Sequence, residues 1–368
     1  MNKEAKVGVI GAGISGLSCA LLLHSKGWDV TIISKHDPNK NINNPEFSSS
    51  VPAASIIPHS VTSNILSELF SNSKAHFKKL FENKFPGVKQ QEHFELFSDE
   101  RSLPEYARNM DELSLFASFK DQFYPKHPKL EVRSGWKFVC YFTDWNLYYP
   151  ALLSEVRSEG IKLKLKKLHQ SDIHELPFDI IVNCAELGAI ELFNDPHSLI
   201  YRGHILQIPG APPLTTPNGK AVSYNFFPGR SAYVSSGGHK QDIYCYARTD
   251  GWVFGGSRQK GVMTGRGTWD IEKTSQPYQI INHLKIPDQI FRLNKEIIQH
   301  SFGIDAGQFT PVQPKMAYRY VRKQKNGLRL EKEELGNKLI IHNYGHGGAG
   351  VTLSWGCALK VIELIDET

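Results

Sequence analysis

The N-terminal stretch from Lys6 to Ser34 constrains the fold most strongly. It reads as a short apolar strand, a glycine turn, an apolar helix and a second strand, with Gly11, Gly13 and Gly16 in G-x-G-x-x-G spacing. In such a unit the first glycine allows a sharp turn, the second lets the backbone approach a pyrophosphate, and the third lets the helix pack closely on the strand. The helix would begin at about Ile14 and direct its N–H groups at the anion. The stretch therefore predicts a dinucleotide site.

The motif alone does not choose between FAD and NAD(P). The acidic residue that commonly binds a ribose about 20 residues further on is missing. Ser34 and Lys35 occupy its place, and Asp37 lies just beyond. Asp37 could substitute for the missing acid, whereas Lys35 could instead face a phosphate. The second half of the chain has to decide the cofactor.

The composition is that of an ordinary globular protein with room for two domains. The chain has 368 residues, of which 40% are hydrophobic and 22% are charged. The net charge of +6 comes from scattered basic residues, and the densest run, at 162–167, alternates like the solvated face of a strand. We therefore expect no nucleic-acid partner. The net charge could modestly favour acidic substrates.

Cysteine usage and hydropathy both favour a cytoplasmic protein. The five cysteines show no metal-binding or redox spacing, so we expect no metal site and a reducing compartment. The apolar N-terminal stretch is interrupted by glycines and lacks a cleavage site for a signal peptide. No apolar run reaches the 18 residues of a membrane span, so we expect no membrane association.

Hydrophobic periodicity predicts alternating helices and strands, followed by a more strand-rich region from Tyr201 onward. The predicted helices cover 62–83, 147–159, 276–300 and 351–365. The predicted strands cover 161–168, 179–183, 204–208, 232–235, 242–246, 252–254 and 339–341. The stretch 209–240 is rich in Pro, Gly, Asn, Ser and Thr, and it predicts a long loop that is functional or mobile.

A second glycine cluster follows the predicted strand at 339–341. Gly345, Gly347 and Gly348 lie just before a predicted helix, so backbone N–H groups would face a negative group. A helix N-terminus directed at a flavin ring would stabilise the negative charge of the reduced ring. A tight structural turn is the alternative interpretation.

The segment HNYGHGGAGVTLSWGCA, at 342–358, resembles the C-terminal signature of the D-amino acid oxidase family of FAD enzymes. Further blocks are similar to that family and follow in its order over nearly the whole chain: GVIGAGISGL at 8–17, SSS at 48–50, DIIVNC at 179–184, RGHIL at 202–206, GG at 255–256 and YRYVR at 318–322. The resemblance implies FAD bound without a covalent link.

The resemblance also implies an α/β fold with two domains. A Rossmann-like FAD-binding domain would comprise residues 1–85, 135–195 and 300–368. An inserted substrate domain, built on a mixed or antiparallel sheet, would comprise residues 86–134 and 196–299.

The glycine motifs and the resemblance together predict the residues that contact the cofactor. These are Gly11, Gly13, Ile14, Ser15, Gly16, Ser34, Lys35, Ser49, Ser50, Ala53, Ala54, Ser55, Asn183, Cys184, Ala185, Arg319, Gly345, Gly347, Gly348, Ala349, Gly350, Val351 and Thr352. Three positions depart from the family pattern. Glu186 and Ser55 each replace a usual glycine, and Ala349 replaces a bulkier residue, which would leave more room beside the flavin.

The resemblance assigns Arg319 to the substrate α-carboxylate and Tyr244 to a hydroxyl above the substrate, as the catalytic pair. A planar guanidinium matches a carboxylate through two parallel hydrogen bonds. Tyr246 lies two residues further on, on the same strand face, and Gly348 completes this part of the predicted substrate site. A surface arginine and a packing aromatic are the alternative interpretations.

Two shorter matches resemble the D-aspartate oxidase branch. His59 lies in IIPHS at 56–60, and Arg258 lies in GGSRQKG at 255–261. In that branch the matching histidine and arginine help to bind a side-chain carboxylate, so the resemblance implies a preference for D-aspartate or D-glutamate. The alternative is a surface arginine and a hydrogen-bonded structural histidine.

The predicted reaction is oxidative deamination of a D-amino acid, with hydride transfer from Cα to flavin N5. The products would be a 2-oxo acid, ammonia and, with molecular oxygen as acceptor, hydrogen peroxide. The amino acid and oxygen are the predicted partners, and a homodimer is compatible with the sequence. The alternatives are an FAD oxidase or dehydrogenase of a secondary amine or pathway-specific amino acid, and a flavin-binding regulatory protein.

Overall fold

The computed structural model describes residues 5–40, 43–52, 54–235, 237–261, 277–322 and 327–367. The helices are α1 Ile14–Ser25, α2 Leu66–Glu82, α3 Phe116–Phe119, α4 Trp145–Ser158, α5 Asp172–Glu175, α6 Gly188–Leu192, α7 Asp288–Phe302 and α8 Gly350–Asp366. The strands are β1 Lys6–Ile10, β2 Asp29–Ser34, β3 Val88–Phe97, β4 Asp111–Leu115, β5 Ser134–Thr143, β6 Lys162–Leu165, β7 Ile180–Asn183, β8 Ser198–Pro209, β9 Val222–Phe227, β10 Ile243–Arg248, β11 Gly251–Gly255, β12 Gln259–Gly261, β13 Tyr278–Ile281, β14 Leu284–Pro287, β15 Gln313–Arg322, β16 Arg329–Leu335 and β17 Lys338–Tyr344.

The predicted Rossmann-like unit is confirmed as part of a six-stranded sheet. Its strand order is β16-β17-β7-β1-β2-β6, and every pairing except β16 with β17 is parallel. β1 and β7 are almost wholly buried, as expected for parallel strands with both faces covered. α1 and α8 follow β1 and β17 directly and pack against each other, so both helices begin at the same edge of the sheet.

A nine-stranded mixed sheet forms the second layer. Its main path runs β12-β8-β11-β10-β9-β3-β5-β4, and β15 pairs with β8; β3 and β9 are parallel. Side chains alternate between the two faces of its strands, as strand geometry requires. In β10, Ile243 and Cys245 enter a hydrophobic core that also contains residues of α7, whereas Tyr244 and Tyr246 point to the opposite face.

Two strands from the ranges predicted for the FAD-binding domain pair within the nine-stranded sheet, and the division into domains stays a prediction. Residues 135–195 and 300–368 were assigned to the FAD-binding part, but β5 pairs with β3 and β4, and β15 pairs with β8 over ten residues. Both strands are therefore part of the larger sheet. Consequently Arg319, on β15, stands on the same sheet as Tyr244.

The helices predicted over 62–83, 147–159 and 351–365 are confirmed as α2, α4 and α8. The prediction of one helix over 276–300 is wrong in its first half, where β13 and β14 precede α7. Asn282 and His283 both have positive φ, +45° and +66°, as in a two-residue hairpin turn. This hairpin separates the strands from the helix.

The stretch 209–240 was predicted as a loop, but it contains β9, which pairs with β3 and β10. The predicted strand over 232–235 is wrong: within the described part of that segment there is a single bridge, between Val234 and Lys240. Its position near a turn at Gly238, with φ +74°, explains why pairing does not extend. β9 was missed because it lies in a stretch rich in Pro, Gly, Asn, Ser and Thr.

Candidate active site

Two adjoining cavities lie at the edge where α1 and α8 begin. One, of about 130 Å³, extends over the ends of β1 and β2. The other, of about 210 Å³, lies between α8 and the nine-stranded sheet. Both cavities are lined by Gly13, Glu46, Ser48, Ser49, Cys184, Glu186 and Leu187. An elongated ligand can therefore extend from one cavity into the other.

The glycine turn after β1 gives the backbone access to both cavities. Gly11 has φ +107°, which strongly favours glycine, and a Cβ on Gly16 would lie 1.9 Å from the carbonyl oxygen of Gly11. Ser49 Oγ accepts a hydrogen bond from the backbone N–H of Ile14 at 3.0 Å. Gly13 also packs against this hydroxyl, since a Cβ at Gly13 would lie 2.9 Å from it. The start of α1 is thus fixed beside the Ser49 segment.

The second glycine turn brings α8 to the same place. Gly345 and Gly347 have φ +86° and +58°, and a Cβ on Gly347 would lie 2.5 Å from the carbonyl oxygen of Ser60. Gly350, where α8 begins, lines the larger cavity. Two helix N-termini therefore face one elongated space, which suits a ligand with a negative diphosphate and a negative ring.

The far end of the smaller cavity carries basic side chains. Ser34 Oγ donates to the carbonyl oxygen of His36 at 2.7 Å, and Lys35 Nζ is paired with Glu46 at 2.6 Å. Asp37 accepts from the backbone N–H of Asn39 at 2.9 Å and does not line either cavity. Glu46, which sequence analysis missed, lines both cavities, as Glu186 does.

Glu186 departs from the family glycine and projects into the path between the cavities. Its φ of +47° lies in the left-handed region, which explains why glycine is usual there. The Glu186 carboxylate accepts from Nδ1 of His346 at 2.5 Å and from the backbone N–H of Gly345 at 3.2 Å. A carboxylate is therefore held beside the space that a dinucleotide would fill.

Most of the predicted cofactor residues line these cavities. They are Gly11, Gly13, Ile14, Ser15, Ser34, Lys35, Ser49, Ala54, Ser55, Cys184, Ala185, Arg319, Gly347, Gly348, Gly350, Val351 and Thr352. Those that lie behind the lining are Gly16, Ser50, Asn183, Gly345 and Ala349. Asn183 supports the wall indirectly, because its Oδ1 accepts from the backbone N–H of Ala185 at 3.1 Å. Ala53 lies outside the described residues.

Two glycines of the nine-stranded sheet make room for Arg319 and Tyr244. A Cβ on Gly203 would lie 2.3 Å from Nη1 of Arg319, and a Cβ on Gly255 would lie 2.2 Å from Oη of Tyr244. Arg319 also donates from Nη1 to the carbonyl oxygen of Ser257 at 3.0 Å. The glycines of the R-G-H and G-G blocks therefore leave space for the side chains of Arg319 and Tyr244.

Arg319 and Tyr244 form a positively charged, hydrogen-bonding pair on the cavity wall. Burial lowers the pKa of Arg319, and the nearby Tyr244 and Asp242 offset only part of that shift. Burial also raises the pKa of Tyr244 above its ordinary value of 10.0. A neutral phenol and a cationic guanidinium can together bind a carboxylate.

Behind the cavity wall, a polar network converges on one buried carboxylate. Tyr246 Oη donates to Asn225 Oδ1 at 2.8 Å, and the amide of Asn225 donates to Glu95 Oε1 at 3.3 Å. His93 Nε2 donates to the same oxygen at 3.0 Å and accepts at Nδ1 from Ser223 Oγ at 2.7 Å. Glu95 is fully buried, and its second oxygen has no partner among the described residues.

His59 lines the cavity and is paired with Glu95, since Nε2 donates to Oε1 at 2.8 Å. Burial would lower the pKa of His59, but the charge and hydrogen bond of Glu95 raise it above 6.5. Burial likewise raises the pKa of Glu95, but His59 and His93 outweigh it and lower the pKa to about 2. This part of the wall is therefore an ion pair.

Arg258 lines the cavity but already has a carboxylate partner. Its Nη1 donates to Asp242 Oδ1, and its Nη2 lies 3.4 Å from Oδ2. Asp242 also lines the cavity and is only 2% exposed. The guanidinium charge that sequence analysis assigned to a substrate carboxylate is thus compensated within the protein.

The six predicted substrate residues all line the larger cavity: His59, Tyr244, Tyr246, Arg258, Arg319 and Gly348. Sequence analysis missed Asn225 and Asp242 on the wall, and Glu95 and His93 behind it. A usable signal was present, because β3 ends in HFELF and β9 contains SYNFF, both with polar residues at alternate positions. Such alternation predicts a strand with one polar face.

The fold and the two cavities define a Rossmann-like dinucleotide-binding protein with a second, side-chain-lined ligand site. The described residues include no group of His, Cys, Asp or Glu side chains that could hold a metal ion. Over the same part of the chain, no helix is both long and apolar enough to cross a membrane.

The chain belongs to the family described as "DAO: FAD dependent oxidoreductase", which it matches over residues 6–364. It is 27% identical to a D-amino-acid oxidase of Rubrobacter xylanophilus over 365 residues, covering 98% of this chain and 95% of that protein. It is 24% identical to human D-aspartate oxidase over 385 residues, covering 99% and 95% respectively. The fold is similar to that of glycine oxidase from Geobacillus kaustophilus, with a TM-score of 0.64, 13% identity and coverage of 99% and 95%. The protein is therefore an FAD-dependent oxidoreductase.

Proposed function

We propose that this protein catalyses the FAD-dependent oxidative deamination of a D-amino acid. In the balanced reaction, the amino acid, oxygen and water yield a 2-oxo acid, ammonia and hydrogen peroxide. The observation that carries the proposal is the pair of Arg319 and Tyr244, which lines the cavity that also contains the start of α8. FAD, when bound, supplies the hydride acceptor.

Arg319 would bind the substrate α-carboxylate, and Tyr244 would add a hydrogen bond. Ser257 and Gly203 hold the guanidinium from the other side, one through a 3.0 Å hydrogen bond and one through close contact. A fork fixed in this way orients the substrate before reaction, which lowers the entropic part of the barrier. The arginine and the tyrosine are therefore the proposed catalytic residues.

The chain does not need to supply a general base for this reaction if the substrate amine is already neutral. Burial keeps the pKa of Tyr244 above 10.0, so its hydroxyl donates hydrogen bonds and is a poor base near neutral pH. His59 is held by Glu95, and the pair is expected to be ionised. We therefore expect orientation to dominate catalysis, with kcat/KM rising as the amine of the free substrate loses its proton.

The preference for an acidic side chain remains a prediction, and the wall of the cavity does not favour it. Arg258 is paired with Asp242, and His59 is paired with Glu95. A second substrate carboxylate would have to be desolvated without a free cation to meet it, which is costly.

The test is a substrate panel with the purified holoenzyme. Oxygen consumption, peroxide, ammonia and 2-oxo acid are measured for matched D- and L-amino acids and for their N-methyl derivatives. The proposal expects equal amounts of the products and a strong preference for D-amino acids with a primary amine. A preference for N-methyl substrates would replace it with secondary-amine oxidation. Release of FAD without turnover of any amine would favour a regulatory flavoprotein.

A further inference from the structure

Asp242 is a buried acid. It faces the part of the larger cavity that would hold the side chain of the substrate. It directly precedes β10, lines the cavity and is 2% exposed. A Cβ on Gly256 would lie 1.9 Å from the backbone oxygen of Asp242, so the two backbones are in close contact. The backbone that carries the Asp242 carboxylate is therefore fixed against Gly256, just after β11.

Arg258 is held in place at both its backbone and its side chain. Its backbone N–H donates to Gln241 Oε1 at 2.9 Å, and its guanidinium donates to both oxygens of Asp242. The charge of Asp242 raises the pKa of Arg258 above its ordinary value. Two consecutive residues therefore fix Arg258 as half of an ion pair before any ligand enters.

The charges that face this end of the cavity cancel in two pairs. Arg258 is paired with Asp242, and His59 is paired with Glu95, whereas Arg319 donates to a neutral group, the carbonyl oxygen of Ser257. Among the described residues at this end, Arg319 is thus the cation without an acidic partner. One such cation matches one α-carboxylate.

We propose that Asp242 determines substrate specificity by neutralising Arg258, so that the site accepts an uncharged, hydrogen-bonding side chain and rejects a carboxylate. This inference rests on the proposed oxidation of D-amino acids. A guanidinium has five N–H donors, and two point at Asp242, so the others can donate to an amide or hydroxyl oxygen. A substrate carboxylate in the same place would face the carboxylate of Asp242, and like charges in a desolvated site repel.

A purely structural role for Asp242 makes a different prediction. If Asp242 only allowed Arg258 and Arg319 to lie in one wall of the cavity, its removal would weaken the binding of all substrates to the same extent. If Asp242 sets specificity, its removal must change the ratio of kcat/KM between a substrate with a side-chain carboxylate and its neutral isostere. D-glutamate and D-glutamine form such a pair, as do D-aspartate and D-asparagine.

The experiment compares kcat/KM for these pairs in the wild-type holoenzyme and in Asp242→Asn. The wild type should prefer the amides, and Asp242→Asn should raise the acid-to-amide ratio by about tenfold to a hundredfold. Asp242→Asn/Arg258→Gln should lower that ratio again, because the freed cation is gone. Asp250→Asn is the matched control: Asp250 binds Arg248 through two 3.0 Å hydrogen bonds and does not line the cavity. The acid-to-amide ratio of kcat/KM in Asp250→Asn should equal that of the wild type.

A binding measurement separates this inference from the proposed function. Succinate and its half-amide, succinamate, are titrated into each holoenzyme, and their dissociation constants are obtained from the flavin absorbance spectrum. Asp242→Asn should strengthen the binding of succinate relative to that of succinamate, whether or not any amino acid is oxidised. If Asp242→Asn does not fold, the wild type and Arg258→Gln are compared instead: the wild type should prefer the amides, and Arg258→Gln, which leaves the Asp242 carboxylate unpaired, should lower the acid-to-amide ratio further. A wild type that prefers the acids, or an Asp242→Asn variant that loses acids and amides alike, would overturn the inference.

Discussion

The cofactor cavities and the substrate wall are built in different ways. The cofactor region consists of contiguous turns in which glycine backbone and two helix N-termini face the ligand, as at Gly13 and Gly347. The substrate wall consists of single side chains from separate strands, such as Arg319 on β15 and Tyr244 on β10. Backbone sites depend on local chain geometry, whereas the substrate wall depends on strand pairing and charge pairing. Substitutions should therefore affect the two regions in different ways.

The largest effect is expected at Arg319. Arg319→Lys keeps the charge but loses the planar fork, so kcat/KM should fall by about 30- to 900-fold, equivalent to about 2–4 kcal/mol, mainly through KM. Steady-state kinetics on a D-amino acid measures this. Arg248→Lys is the control, because Arg248 is a buried arginine that does not line the cavity. A near-normal KM in Arg319→Lys would remove Arg319 from the substrate site.

Glu95→Gln tests whether the network behind the substrate wall supports it. Removing this buried carboxylate leaves His59 without its ionic partner, so the free energy of unfolding should fall by about 2–3 kcal/mol. Glu92→Gln is the control: Glu92 lies on the same strand and pairs with Lys137 in a more exposed position. Chemical denaturation measures both. An equal loss of unfolding free energy in the two variants would show that the network around Glu95 contributes no more to stability than the more exposed pair of Glu92 and Lys137.

The same variant has a predicted pH dependence. The lowered pKa of Glu95 stabilises the fold above its ordinary value of 4.5, and this contribution is lost as the pH falls toward about 2. The raised pKa of His59 stabilises the fold below 6.5, and this contribution is lost as the pH rises through the higher folded pKa. The loss of unfolding free energy caused by Glu95→Gln should therefore be largest between pH 4.5 and pH 6.5. A cost that grows steadily above that range would contradict the assignment.

Gly203→Ala tests the close contact that makes room for Arg319. The new methyl group would displace the guanidinium, so kcat/KM should fall by about tenfold to a hundredfold with little change in FAD content. Gly307→Ala is the control, because its methyl group would meet the ends of the Lys295 and Asp305 side chains. The kcat/KM of this variant should be unchanged. If Gly203 acts through Arg319, the double variant with Arg319→Lys should lose less than the product of the two single losses. Fully independent losses would separate Gly203 from Arg319.

The smallest effect is expected on the cofactor side, at Glu186. Its carboxylate reaches both cavities, so Glu186→Gln removes a negative charge near an anionic dinucleotide. The dissociation constant for FAD should fall by about threefold to tenfold when the apoprotein is titrated and fluorescence is measured. Weaker binding would instead mean that the Glu186 contact with His346 organises the cofactor site.

The two regions also differ in how far the sequence predicts them. Gly11, Gly13 and Gly16 act over a few residues, so their spacing was enough to predict the Rossmann-like unit, which the structure and the family match confirm. The larger sheet was predicted only in outline. β9 lies in a stretch rich in turn-forming residues, and the β13–β14 hairpin was included in a predicted helix.

The charge state of the substrate wall could not be predicted from single motifs. Arg258 and His59 were recognised in short matching blocks, but their partners, Asp242 and Glu95, are 16 and 36 residues away in the sequence. Glu95 reaches His59 because the segment just before His59 bridges β5 at Ser55, and β5 pairs with β3. Asp242 reaches Arg258 because β10 and β11 form a hairpin. A motif identifies a cation, whereas only the strand pairing shows which acid neutralises it. The functional roles of the predicted site residues stay predictions.

The most direct test of the proposed activity is anaerobic reduction of the bound flavin by matched enantiomers. The holoenzyme is mixed with D-glutamine, L-glutamine or NADPH without oxygen, and the flavin absorbance is followed for the wild type and Arg319→Lys. We predict rapid bleaching of the wild type by D-glutamine alone, and a much higher D-glutamine concentration for half-maximal bleaching in Arg319→Lys. Bleaching by L-glutamine or NADPH at the same rate, or identical behaviour of the two proteins, would contradict an orienting site for D-amino acids at Arg319.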